Sequence, residues 1–258
     1  MQHRRFAVAF GILSVGVLCW SGVRAGSAAQ GPAGDVAIDP DDIGGVVRGV
    51  NGPEAGVWVI AETRDLPVRF IKSVVTDDAG RFVIPDLPAA TYQVWARGYG
   101  LVDSDRQPSR PGQRLAIAAK PAPTEADAAR YYPAIYWYAM LRMPAADQFG
   151  GANPAIPSRL TQAAWISGMK NTGCVGCHQL GQLSTRTIPT ALGSFPSGHE
   201  AWRRRVQSGQ AGQMMLGQLN NLGEQSFANF GDWTDRIAKG ELPFAKPPRP
   251  QGVERNIV

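Results

Sequence analysis

Cysteine and histidine are both scarce in this chain, three of each among 258 residues. Cys19 lies in an apolar N-terminal segment, which leaves Cys174 and Cys177 for everything downstream. Two neighbouring cysteines cannot staple a fold of this length, so a disulfide framework is excluded and hydrophobic cores must hold the chain together. Histidine occurs only at positions 3, 178 and 199. Long apolar runs are equally few. "FAVAFGILSVGVLCW", residues 6–20, is short of the about 20 residues that span a membrane. It follows His3, Arg4 and Arg5 and precedes small residues with cleavage points after Ala25, Ala28 or Ala29. That order predicts a signal peptide over residues 1–29, export to the periplasm or beyond, and no permanent membrane span after cleavage. A lipid anchor on Cys19 is disfavoured, because "GVLCW" lacks small residues just before the cysteine.

Charge adds less than the formal +5 suggests. Residues 1–29 carry Arg4, Arg5 and Arg24 and no acid, so the remainder is +2 and gives no reason to expect nucleic acid as a partner. The remainder is uneven: 11 basic against 14 acidic residues in 30–130, and 12 against 7 in 131–258. A net −3 part followed by a net +5 part suggests two units with different surfaces.

After a polar lead-in over residues 30–42, short runs rich in Val, Ile and aromatics follow one another: "GGVVRGV", "AGVWVIAET", "RFIKSVVT", "GRFVIPDL", "TYQVWARG" and "QRLAIAA". Turn residues separate them, and several alternate apolar with polar. This predicts an antiparallel β-sandwich over 43–119, inside a domain spanning 35–119. The stretch resembles carboxypeptidase regulatory-like and Cna-B-like modules. Thr76-Asp77-Asp78-Ala79-Gly80-Arg81-Phe82 matches their T-D-x-x-G-x-[FY] turn, and Leu87-Pro88-Ala89-Ala90-Thr91-Tyr92 their L-P-x-x-x-Y corner. That resemblance implies a fold and leaves function open. Trp58, Trp95 or Tyr99 could stack on a polysaccharide, but core packing is the commoner use of such aromatics. No calcium-binding or catalytic constellation is visible there.

Residues 120–159 read as a linker carrying an aromatic segment, "YYPAIYWYAML", expected to dock one domain on the other. From Leu160 the period becomes helical, with further helices expected around "GHEAWRRRVQSG" and "GEQSFANFGDWTDRIAKGEL". Arg203, Arg204 and Arg205 are expected to turn largely outward. A proline-rich tail occupies 245–258.

Within the helical part stands "NTGCVGCHQL". Cys-x-x-Cys-His is the spacing at which haem is attached covalently: two thiols add to the two vinyl groups of the porphyrin, and the adjacent imidazole ligates the iron. On one helical turn Cys174, Cys177 and His178 share a face, and Gly173 and Gly176 are expected to leave room for the ring. A zinc site would need a fourth ligand, with His199 the only further histidine in this part of the chain. A thioredoxin-like dithiol would need a preceding strand where the residues look helical.

Residues 160–244 resemble class I c-type cytochromes. Ile188-Pro189-Thr190-Ala191-Leu192-Gly193 resembles their G-P-x-L-x-G-like turn, with Ile188 where the pattern has Gly. The resemblance implies an all-α cytochrome c fold and a Pro189 carbonyl that accepts the Nδ1 proton of His178. It also implies a methionine opposite His178, in a loop before the last helix. Met214 or Met215 in "VQSGQAGQMMLGQL" fits, and His199 ranks well below them. A thioether ligand favours ferrous iron and raises the potential.

The expectation is an exported carrier of one covalent haem c that passes one electron at a time to a redox partner. The Arg203–Arg205 run would suit an acidic one, and a solvated helix face or arginine contacts to the haem propionates would account for it equally well. Two rivals stand beside it. The sandwich binds a polysaccharide or protein and the haem unit is secondary. Alternatively, the chain is the electron-transfer portion of an enzyme, since its layout resembles the front of larger exported proteins that continue into a streptogramin-lyase-like β-propeller.

Overall fold

The structure, a computed structural model, describes residues 36–256; the expected leader 1–29, with Cys19, lies outside them. Sheets occupy residues 43–121 and helices residues 125–238, and Asp35–Val258 pack as one unit.

Strand β1 (Ile43–Gly49) is the centre of the first sheet. It pairs antiparallel with β2 (Gly52–Pro53) and β5 (Arg81–Ile84), and parallel with β9 (Arg114–Ala118). The parallel pair departs from the all-antiparallel expectation. In the second sheet β4 (Phe70–Val75), β3 (Trp58–Thr63), β6 (Tyr92–Arg97) and β8 (Gln107–Ser109) lie side by side, all antiparallel. Two short strands, β7 (Leu101–Val102) and β10 (Lys120–Pro121), form a separate pair.

The core between the sheets follows from alternation. Val59 and Ala61 of β3, and Tyr92, Val94 and Ala96 of β6, point inward onto Ile43, Val47, Ile84 and Ile117. The Thr-Asp-x-x-Gly turn has a reason at each position. Thr76, fully buried, accepts from Val57 N at 2.9 Å and donates to Glu54 O at 2.6 Å. Asp77 accepts from the Ala79 and Arg81 amides. Gly80 has φ +73°, and a Cβ there would come within 2.5 Å of Val47 O. At the corner, Tyr92 OH donates to Pro88 O at 2.9 Å.

The helical part comprises α1 (Glu125–Ala129), α2 (Ala134–Tyr138), α3 (Gln162–Ser167), α4 (Leu183–Arg186), α5 (Gly198–Arg205), α6 (Gly212–Leu222) and α7 (Glu224–Ala238). The segment expected as a linker is not one. Trp137, Tyr138, Met140 and Leu141 are buried in the same core as Trp165, Trp202, Phe227, Phe230 and Trp233. A buried indole usually finds a partner for its N–H, and in the helical part such bonds tie the helices together. Trp233 donates to Trp137 O at 2.8 Å, and Trp165 to Leu222 O at 3.0 Å. Helices α5 and α7 touch at Gly231, where a Cβ would stand 2.6 Å from His199 N.

Tyr131 and Tyr132 join the helical part to the sandwich: the Asp103 amide donates to Tyr131 OH at 3.3 Å and the Arg97 guanidinium lies 5.0 Å over the Tyr131 ring. Tyr99 meets Trp58 edge-on at 5.0 Å and Tyr132 at 6.1 Å. The tail then returns to the sandwich, where Arg249 pairs with Glu54 and Arg255 with Asp78. Of the aromatics considered for glycan stacking, Trp95 is buried beneath the Arg106 guanidinium, and Trp58 and Tyr99 are half-buried against each other. Among the described residues no helix is long and apolar enough to cross a membrane.

Candidate functional site

Cys174, Cys177 and His178 sit on a tight turn after α3. The helix first widens into a π turn, Gly168–Thr172, then tightens into a 3-10 turn, Cys174–Gly176. The His178 amide donates to Cys174 O at 3.0 Å, so the three residues lie close together on a 3-10 turn and its exit, where an α-helical turn was expected. Cys174 is half-buried, and burial pushes its thiol above the ordinary range; Cys177 and His178 are exposed. The two glycines differ in role. A Cβ on Gly176 would meet nothing, leaving the open approach expected of it. A Cβ on Gly173 would lie 2.1 Å from Gly168 O and 2.7 Å from Gln218 Nε2. Gly173 is therefore fixed by the protein's own packing.

A cavity of about 500 Å³ opens over this turn, within the range of ligand sites. Its floor is Cys174, Cys177 and His178. Its walls are mostly apolar and include Leu180, Leu192, Trp202, Val206 and Phe230. One face of α6 lines it through Met214, Met215, Gln218 and Leu219, with Ala211 just ahead of the helix. These positions recur every three or four residues, as one helix face requires. Both methionines thus reach the cavity, but from the first turn of a helix rather than from the expected loop. They differ in freedom: Met215 packs against the core, whereas Met214 is 69% exposed.

The other expected residues fall as follows. Pro189 lines the cavity, but its carbonyl accepts the Leu192 amide at 3.0 Å, closing the 3-10 turn Thr190–Leu192, and the expected bond from His178 is not formed. His199 lies outside the cavity. Its Nε2 is 3.1 Å from Glu224 Oε2 and its ring meets Phe227 edge-on at 5.8 Å, while Ser197 caps α5. Arg203 pairs with Glu224 and lowers the pKa of that carboxyl, with His199 adding to the effect.

Arg205 corrects the expectation of an outward-facing run. It lines the cavity, donates to Thr187 O and Ser184 O, and lies over the Trp202 ring at 4.9 Å; burial pushes its guanidinium pKa down. Gln218 and the apolar wall residues Leu180, Leu192, Leu219 and Phe230 were not singled out for the site by the sequence, whereas Arg205 belongs to the run for which contacts to haem propionates were one of the expected uses.

This donor set fits a covalently tethered iron porphyrin. Two thiols and an imidazole share one turn, a thioether faces them from α6, and the space between is of ligand size and water-repelling. Among the described residues no group of three His, Cys, Asp or Glu side chains converges as a metal site. Neither a protein-family model nor a curated protein sequence matches the chain, so the reading of the site rests on its own residues.

Proposed function

We propose that the chain is an exported single-haem c-type cytochrome, its helical part a cytochrome c domain behind a β-sandwich, and that it carries one electron at a time. The observation that carries this reading is the apolar cavity standing directly over Cys174, Cys177 and His178. When bound, haem supplies a centre that cycles between ferric and ferrous iron.

Each residue role follows from its chemistry. Cys174 and Cys177 would tether the ring and His178 would bind its iron. Met214 would supply the second protein ligand, a choice supported by its exposure: a ligand must be free to reach the cavity centre, and Met215 is held by core packing. Trp202, Phe230, Leu192 and Leu219 exclude water, which with a thioether ligand favours the ferrous state. Arg205 places a positive charge in the wall, suited to a ring carboxylate.

The test is the mature protein from a cytochrome-maturing host. Mass spectrometry should find one haem added to the polypeptide, and dithionite should produce the α-band of a low-spin c-haem. Absence of added haem would refute the proposal.

A further inference from the structure

A second groove, of about 570 Å³, lies beside the haem-motif turn and shares none of its residues with the cavity above the cysteines. It is lined by Arg130, Tyr132, Gln179, Gln182, Leu183 and Arg186. Arg186 is only 7% exposed. Its guanidinium lies 3.9 Å over the Trp137 ring and donates to Gly181 O at 2.7 Å. Among the described residues it has no carboxylate partner. A buried cation without a counter-charge is costly, and an indole face with one carbonyl offsets only part of that. Among the described residues the guanidinium of Arg130, at the rim, has Asp127 alone as an ion-pair partner, at 3.8 Å, too long for a hydrogen bond, which leaves its fork available. Gln179 and Gln182 bond to each other at 2.9 Å and keep further amide hydrogens for a ligand. Leu183 and Tyr132 give the groove an apolar flank.

We propose that this groove binds a small organic carboxylate, its carboxyl group between Arg186 and Arg130 and its apolar body along Leu183 and Tyr132. The groove's size is that of a small-molecule site. A planar guanidinium recessed beneath the surface suits a slim two-oxygen anion. The inference stands apart from the haem reading, which the absorption spectrum tests independently.

The experiment is calorimetric titration of the mature protein, as isolated, with sodium benzoate, ionic strength held constant with sodium chloride. Native protein should bind at one saturable site. Arg186→Lys keeps the charge but loses the fork and should weaken binding about tenfold. Arg130→Gln, at an exposed position that leaves folding intact, should weaken it about threefold to tenfold. No saturable binding, or equal affinity in native and both variant proteins, would overturn the proposal. So would a glutamate-rich peptide that binds the same two arginines more tightly than benzoate, since the groove would then be a protein-docking surface.

Discussion

Replacing Met214 and Met215 separately by Ala should have opposite consequences for folding and for the iron. Met214 is 69% exposed, so roughly a third of its side chain is removed from water. Full burial of a methionine is worth about 1.5–3 kcal/mol, so Met214→Ala should cost less than about 1 kcal/mol in the haem-free chain. Met215 is partly buried against the core that holds Leu219, Leu222 and Trp202. Truncating a fully buried methionine costs about 2–5 kcal/mol, and half of that, about 1–2.5 kcal/mol, suits Met215→Ala. Urea denaturation of protein made without cytochrome maturation reads both values. Haem-loaded protein should show the reverse order. Met214→Ala should turn the iron high-spin and lower the midpoint potential, while Met215→Ala should leave the spectrum low-spin. A low-spin Met214→Ala protein of unchanged potential, with the iron altered in Met215→Ala instead, would defeat the argument that the freer side chain is the ligand.

Three further outcomes follow from the packing. Trp165→Phe should destabilise by about 2–4 kcal/mol in thermal or urea unfolding, because Leu222 O at the end of α6 loses its indole donor in a buried position. Tyr92→Phe removes only the bond to Pro88 O and should cost about 1 kcal/mol by the same measurement. Glu224 has its pKa lowered by Arg203, so its pairing stabilises the fold above the ordinary glutamate value of about 4.5 and is lost as pH falls through the lowered value. Arg203→Gln should raise the Glu224 pKa in an NMR titration, and an unchanged value would show that the contact does not form in solution.

The sandwich was legible because its information is local. Alternation set the inward faces, and Thr76, Asp77 and Gly80 each answer a constraint within a few residues of themselves. The parallel pairing of β1 with β9 was not, since it joins residues about 70 apart through no local signal. In the helical part the Cys-x-x-Cys-His turn was readable because its chemistry fixes its spacing. Helix α6 was missed as a helix because Gly212 and Gly217, following Gly209, look like loop residues, although Ala211, Met214, Met215, Gln218 and Leu219 keep a helical interval. Arg205 was not set apart from its neighbours because the triple arginine was read as one run with shared uses. It stands three residues after Trp202, hence on the same face, and that interval was present in the sequence.

The path of the chain decides how the two parts act. It leaves the sandwich at β10, builds the helical core, and returns through Arg249, whose guanidinium reaches Tyr99 O at 3.1 Å as well as Glu54. Tyr99 is also the ring that links Trp58 to Tyr132 and, at 6.3 Å beyond it, Tyr136. Separating the parts would expose these aromatic edges and break the half-buried Arg249–Glu54 pair together, since both converge on the same corner of the sandwich. The sandwich is thus braced against the helical part at Tyr131, at Tyr132 and through the returning tail.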